Sequence, residues 1–533
     1  MKKYIYAIHI LLAGFLTSCV NLDTEPTDYA TSLSYYSNET EVEYALNGVY
    51  DKIGSNYIFG GGDCLSTLFD TTDQMWVSTS PSVGVYDYPA SDTRVSIIWR
   101  ELYTGIERAN VLLKNIHDAE MDEDQRMVTI GEAKFLRAFY YFMLVQNYGD
   151  IPLKTEPTQS ANDVNFARTN ASAVYDFIYA EMMEAESLVN PITDYSYAER
   201  VTKSAVQGIL ARVSLYRAGF LNRKDRSEEQ IREYYTNALF WAEKVINSGL
   251  HDLNPDYAQV FINLIQDKYE TKESIFEIGH FTDGASGVFG TAEIGDLGNN
   301  NGIPQRLTQY GFSGAQFRLQ PKLFKAFEYN DEYQDVRRDW CIADYLFVRD
   351  SDPPEKEYWI DVEGEAYEDP NKLLYRRIGK FRREYELQED KIKNYNSTNN
   401  PILRFSDVLL MAAEAENELN GPTPKAHEYL NRVRLRAQIS EIKNIASKDD
   451  FLKIIQNERY TELCFEGFRR MDLIRWGILV EQMREMVDFN NANSVTHITF
   501  NRSGVNISER DYYLPIPVRE LSLDPLLTQN PGW

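Results

Sequence analysis

The densest run of chemically capable residues is Glu458-Arg459, Glu462, Glu466-Gly467, Arg469-Arg470, Asp472 and Arg475-Trp476-Gly477. Carboxylates and guanidiniums at this density offer two chemistries. One is a catalytic acid pair with an arginine clamp on the substrate. The other is a structural lattice of ion pairs holding a helix hairpin together. On a helix, Glu458, Glu462 and Glu466 share one face, and Glu466 would reach Arg470 at i+4 if the helix continued. Gly467 is expected to break it, so that opposite charges bridge two helices across a turn. The lattice is the favoured reading. With 81 Asp and Glu in the chain, close acidic pairs are unavoidable, and pairing alone does not point to glycoside hydrolysis.

Other chemistries lack their signatures. Gly60-Gly61-Gly62 and the glycines between 284 and 302 do not have the G-x-x-x-x-G-K-[ST] spacing of a phosphate loop. His117, His251, His280, His427 and His497 lie far apart, and no H-E-x-x-H or zinc-like His/Cys cluster occurs. The acid-rich stretch 350–369 has oxygens for Ca²⁺, but a solvated acidic loop is the expectation. No G-x-S-x-G is present. The residues by themselves therefore offer no signature of a catalytic residue, metal or cofactor, and none is expected.

The elements that must position these groups begin with a leader. Lys2 and Lys3 precede a mostly apolar, uncharged stretch from Tyr4 to Leu16. It is too short to span a bilayer, which needs about 20 residues, and it fits a secretory signal. Leu16-Thr17-Ser18-Cys19 resembles a bacterial lipobox, which implies removal of residues 1–18 and acylation of Cys19 with palmitate-type chains. Several chains on one Cys hold more firmly than one. The mature charge would be 53 − 81 = −28, since two of the 55 Lys and Arg are lost. That surplus of acid argues against nucleic acid as a partner. Four Cys in 533 residues exclude a disulfide framework, and Cys64, Cys341 and Cys464 are read as buried thiols.

Residues 19–38 read as a tether. Apolar residues then recur at helical spacing in 39–53, 97–116 and 130–146. Four helix pairs are expected: Ile130–Gln146 with Ala171–Val189, Thr202–Ala218 with Glu228–Asn247, Arg404–Asn420 with Pro424–Ala437, and Lys448–Phe465 with Phe468–Asp488. In the second pair, Gly208 and Ala211 facing Ala238 and Ala242 would let two helices approach closely, as in a tetratricopeptide hairpin. Segments 54–96 and 251–400 lack this period and read as long loops with short strands. The organisation is thus a helical region (39–250), a loop-rich region (251–400) and a second helical region (401–533).

Several long motifs carry a family resemblance. Glu132-Ala-Lys-Phe-Leu-Arg-Ala-Phe-Tyr-Tyr-Phe142 with Tyr148-Gly-Asp-Ile-Pro-Leu153 resembles the N-terminal signature of the SusD/RagB outer-membrane lipoproteins of Bacteroidetes. Arg404 to Glu416 resembles the central helix of that family. Asn457-Glu-Arg459 through Glu466-Gly467 to Asp472-Leu-Ile-Arg-Trp-Gly477 resembles its C-terminal signature, and Leu514-Pro-Ile-Pro517 with the final Asn530-Pro-Gly-Trp533 its ending. The resemblance implies a mostly α fold with four tetratricopeptide-like pairs and a looped ligand-binding region. It implies a lipid-anchored, non-catalytic protein on the outer face of the outer membrane. Such a protein captures oligosaccharides, or in some members peptides, and passes them to a SusC-like TonB-dependent β-barrel.

A sugar ring has an apolar C–H face that stacks on aromatic rings, and its hydroxyls need polar side chains. Aromatics of the irregular segments are therefore the ligand-binding candidates: Trp76, Tyr86, Tyr88, Phe289, Tyr310 and Phe312, with Trp340 and Trp359 behind them. Asp73 and Asn300, with Gln74, Asn299 and Asn301, are the candidate polar partners. Trp76→Ala is expected to weaken binding at least tenfold, about 1.4 kcal/mol, with the fold intact. Trp99 lies on a helical face and is assigned to the core.

Overall fold

The computed structural model describes residues 35–533 apart from short segments, of which 281–296 and 359–372 are the longest. The leader, Cys19 and most of the tether lie outside the described residues.

The first half of the chain is a row of helices: α1 (Glu39–Tyr50), α2 (Thr93–Asn115), α3 (Glu123–Tyr148), α4 (Ala171–Leu188), α5 (Lys203–Arg217) and α6 (Glu228–Asn247). Each starts where a short polar side chain accepts a hydrogen bond from a first-turn amide: Asn38, Asp92, Asp122, Asn170, Thr202 and Ser227. That satisfies a donor the helix leaves open. Each helix packs on the next, α1 on α2 through to α5 on α6. The middle of α3 is buried nearly all round between α2 and α4, so apolar residues lie on every side and its Glu132 and Arg137 are paired with Arg200 and Glu181. Its tyrosines bury their rings and spend their hydroxyls on carbonyls outside the helix. Tyr141 donates to Lys154 O at 2.6 Å and Tyr148 to Val95 O at 2.8 Å. The chain has 36 Tyr against 26 Phe, and buried rings with bonded hydroxyls account for part of that difference. Trp99 packs edge-on against Tyr148 in the same layer, 5.0 Å between rings.

Between the two helical halves come α7 (Tyr257–Ile265), β2 (Ser274–Ile278), α8 (Pro321–Ala326) and α9 (Val336–Cys341). Three two-stranded antiparallel ribbons occur among the described residues. β1 (Met75–Val77) pairs with β3 (Phe317–Leu319), β2 with β6 (Asn400–Arg404), and β4 (Tyr345–Phe347) with β5 (Lys356–Tyr358). The first ribbon joins the two irregular segments. The second lies against α5, where a Cβ on Gly208 would sit 2.3 Å from Leu403. Gly208 therefore serves the approach of a strand, while Ala238 and Ala242 of α6 are buried in the main core.

The last part holds α10 (Phe405–Asn420), which packs on α6, then α11 (Pro424–Arg436), α12 (Lys448–Glu462), α13 (Arg469–Trp476) and α14 (Leu479–Ala492). The expected unbroken helix 468–488 is two helices. Gly477, at φ +77, ends α13, and its amide turns back to the carbonyls of Leu473 and Ile474. Among the described residues no helix is long and apolar enough to cross a membrane.

Candidate functional site

The acid and arginine constellation is a buried lattice. Gly467 breaks the chain direction at φ +83, and the ladder of Glu458, Glu462 and Glu466 turns inward, each 2% exposed or less. Arg404 sits at its centre. Its Nη1 reaches Glu273 at 2.7 Å and Glu462 at 3.1 Å, and its Nε reaches Glu466 at 2.8 Å. Arg436 also binds Glu273 and Glu462, at 3.0 and 2.5 Å. Arg337 joins Glu458 to Glu462. Burial alone would raise the Glu462 carboxyl, but Arg436, Arg404, Arg337 and Lys380 outweigh it and hold it well below the usual carboxylate range. Such a group keeps no proton to donate, so the arrangement does the work of a scaffold. A second set joins Asp407 to Arg212 at 2.6 Å and Arg459 at 2.5 Å, and Asp472 to Arg459 and Arg475, both at 2.8 Å. Arg470 does not meet Glu466. It donates to Asp511 O at 2.9 Å, because the glycine turn carries it to the opposite side.

Several candidate ligand residues are core residues. Trp76 is 4% exposed, edge-on to Phe500 at 4.3 Å, with the Arg318 guanidinium 5.3 Å from its ring. Tyr86 is buried among Leu473, Leu479 and Met483. Tyr88 is buried against Trp533. Their ring faces are taken by protein, which corrects the expectation that they stack on ligand. Asp73 is fully buried and gives both oxygens to Arg469, at 2.9 and 2.8 Å. It borders a cleft of about 410 Å³ that Lys322, Lys325, Lys453 and Tyr460 also line. Gln74 is equally buried and donates to Tyr460 O. Trp340 is 8% exposed. Phe289, Trp359, Asn301 and the side chains of Asn299 and Asn300 lie outside the described residues.

Tyr310 and Phe312 differ. They stand on a loop closed by the pairing of Gln305 with Ser313, and both remain partly exposed. Gly311 between them has φ +88, and a Cβ there would lie 2.8 Å from Arg383. Only glycine fits this turn. Arg383 anchors the loop, donating to Phe312 O at 2.6 Å and gripping Glu386 with Nε and Nη2. The Tyr310 hydroxyl donates to Asp352 at 2.7 Å, tying this loop to the turn between β4 and β5. Beyond it run Tyr345, Phe347 and Tyr358, with Tyr358 more than half exposed. Lys356 lies 4.1 Å from the Tyr345 ring, Arg382 stacks over Trp340 at 4.5 Å, and Lys393 is 5.1 Å from the Phe312 ring. The result is a ledge of partly exposed rings, with cations packed on neighbouring rings and hydrogen-bonding side chains alongside. Sequence reasoning missed Phe347, Tyr358, Lys356 and Lys393. The ledge can stack on a flat apolar face and bond to polar groups around it.

A buried acid lies outside both lattice and ledge. Glu277 on β2 accepts from Ser274 at 2.5 Å and Asn399 at 3.1 Å, and burial pushes its carboxyl up to about 7.

Comparison with known proteins agrees with this architecture. Residues 272–533 match the sequence model described as the SusD family, and residues 22–215 match one described as starch-binding, associating with the outer membrane. A solved SusD homolog from Bacteroides thetaiotaomicron superposes with a TM-score of 0.82 at 25% identity, covering 94% of this chain and 98% of that one. A SusD-like protein of Formosa agariphila is 26% identical over 99% of this chain and 98% of its own length. The starch-binding protein SusD of Bacteroides thetaiotaomicron is 23% identical over 99% of this chain and 98% of its own. A laminarin-binding SusD-like protein shares the fold, with a TM-score of 0.71 at 24% identity over 93% of this chain and all of that one. The fold and these matches define a helical scaffold protein of the SusD type. The chain belongs to the SusD-like family.

Proposed function

We propose that this protein is a non-catalytic glycan binder, anchored through Cys19 to the outer face of the outer membrane, that passes oligosaccharides to a SusC-like TonB-dependent β-barrel. The observation that carries the reading is the ledge of Tyr310, Phe312, Phe347 and Tyr358. These are partly or largely exposed rings, two on the Gln305–Ser313 loop and two on the β4–β5 ribbon. Rings fixed in advance lose little freedom on binding. The Tyr310–Asp352 bond and the Arg383 bond to Phe312 O supply that fixation. Phe312 and Tyr358 stack on sugar C–H faces, and Asp352, held beside Tyr310, meets the hydroxyls. Relatives named as starch-binding and laminarin-binding support a neutral glucan as the first ligand to try.

The test is calorimetry against starch-type and laminarin-type oligosaccharides, with a peptide library as the contrast. Combined Tyr310→Ala and Phe312→Ala should weaken glycan affinity at least tenfold, about 1.4 kcal/mol, without lowering the melting temperature. Unchanged affinity removes the ledge as the site, and binding of peptides alone replaces the glycan reading. Cys19→Ala should release the protein from the membrane fraction and abolish labelling by radioactive palmitate.

A further inference from the structure

Cys341 ends α9, and Cys464 lies in the turn between α12 and α13. Their thiols nevertheless contact each other inside the core. Both side chains are fully buried and both thiols are free. The surrounding groups are held firmly. Tyr257 places its hydroxyl 3.2 Å from the Cys341 sulfur and bonds to Glu462 O at 3.0 Å. The Lys380 ammonium donates to Glu462 O at 3.1 Å, to Cys464 O at 2.9 Å and to the Glu466 carboxylate at 2.5 Å. Gly379 donates its amide to Cys341 O at 2.8 Å. Both cysteines thus sit on backbone that the fold fixes. Burial opposes ionisation of Cys341, but contact with Cys464 and the charge of Lys380 outweigh it and bring this thiol below its ordinary range. Burial pushes the Cys464 thiol up.

We propose that Cys341 and Cys464 form a structural disulfide when the chain folds in an oxidising compartment. The inference rests on the extracytoplasmic placement proposed above. The Cys341 thiolate attacks one sulfur of an external disulfide, carried by a protein or by glutathione, and expels the other sulfur as thiolate. Cys464, losing its proton, then attacks the Cys341 sulfur of the mixed disulfide and expels the second external thiolate. Two cysteine thiols lose two protons and two electrons, and the external disulfide is reduced to two thiols. The exchange precedes final closure of the core, since neither sulfur faces solvent in the finished fold. The bond ties the loop-rich region to the turn that carries Glu462 and Glu466, so it fixes the ledge-bearing half of the molecule to the helical body.

The test uses the purified protein carrying Cys64→Ser, so that this thiol does not compete in the exchange. The chain is unfolded in reductant, refolded with a glutathione redox buffer, and acid-quenched. It is then denatured, alkylated and mapped by mass spectrometry. The expected product is a 341–464 linked peptide, two mass units below the dithiol form, in most molecules. The oxidised protein should also melt several degrees above the same protein refolded in reductant, because the bond closes a long loop. Complete alkylation of both cysteines after refolding with oxidised glutathione overturns the proposal. Glycan calorimetry on the same samples separates the two readings. A chain refolded with oxidised glutathione that binds glycan with both thiols free overturns the disulfide alone, and a linked chain that binds no glycan overturns the function alone.

Discussion

Replacing Arg404 by Met removes the hub of the buried lattice while keeping most of the side-chain volume. Arg404 is 2% exposed and serves Glu273, Glu462 and Glu466 together. After the change, Glu273 and Glu462 retain Arg436, and Glu466 retains only Lys380. One negative charge is left in excess in a dry environment, and the Ser406 hydroxyl loses its donor. Breaking a buried pair by removing one partner costs about 3–5 kcal/mol, mostly the penalty of the charge left behind. Arg404→Lys restores the charge without the fork and should lose about 1–3 kcal/mol. The assay is guanidinium chloride unfolding at pH 7 and pH 4.5, followed by far-UV circular dichroism. The Met variant should recover part of its deficit at the lower pH, where an orphaned carboxylate can take a proton. A Met variant within 1 kcal/mol of wild type at pH 7, or a deficit that grows on acidification, would refute the account of the lattice.

Trp76→Ala should cost about 3–5 kcal/mol, read as a lowered unfolding midpoint, while the folded fraction keeps its glycan affinity. A variant with wild-type stability and weakened binding would restore Trp76 to the site. Glu277→Gln tests the buried acid. Its folded carboxyl titrates near 7 against 4.5 in the reference state. Between those values the unfolded chain ionises while the folded one stays neutral, so stability falls as pH rises through that window and levels off above it. The Gln variant should gain about 3 kcal/mol over wild type at pH 8 and little at pH 4, and equal pH profiles for the two proteins would sink the assignment. Glu462 has the opposite sign. Its contribution is present above about 4.5 and is lost as pH falls through its depressed folded value. Gly467→Ala should destabilise by about 1–3 kcal/mol, because φ is +83 and the new Cβ would lie 2.7 Å from Ser66. A neutral melting temperature would show that the turn can relax.

Much of the helical architecture was legible because helix formation is local. The spacing of Ala133, Leu136, Phe139, Tyr140 and Met143 reports a buried helix wherever its neighbours come from, although its start lies at Glu123, after a cap at Asp122 and ahead of the expected Ile130. The ion lattice was half legible. Three glutamates at i, i+4 and i+8 announced one charged face, and Gly467 announced a break. The cations that meet that face came from Arg337, Lys380, Arg404 and Arg436, which no spacing connects to it. The ligand candidates were the least legible, because residue type sets what a ring can do and not whether its face is open. Trp76 and Tyr310 look alike in sequence, both aromatic in a segment without helical period. Phe500 and Arg318 cover the first, and the tight loop at Gly311 lifts the second outward.

The sequence by itself determined the class of fold, the positions of most helices and the family motifs. Each depends on residues near one another in the chain, and short-range periodicity and capping are enough to encode them. The tertiary structure alone decided which aromatics are scaffold and which form the ledge, and which arginines neutralise Glu462. It alone brought Cys341 beside Cys464. Burial is a sum over contacts from distant segments, and no local pattern contains that sum until the chain has closed on itself.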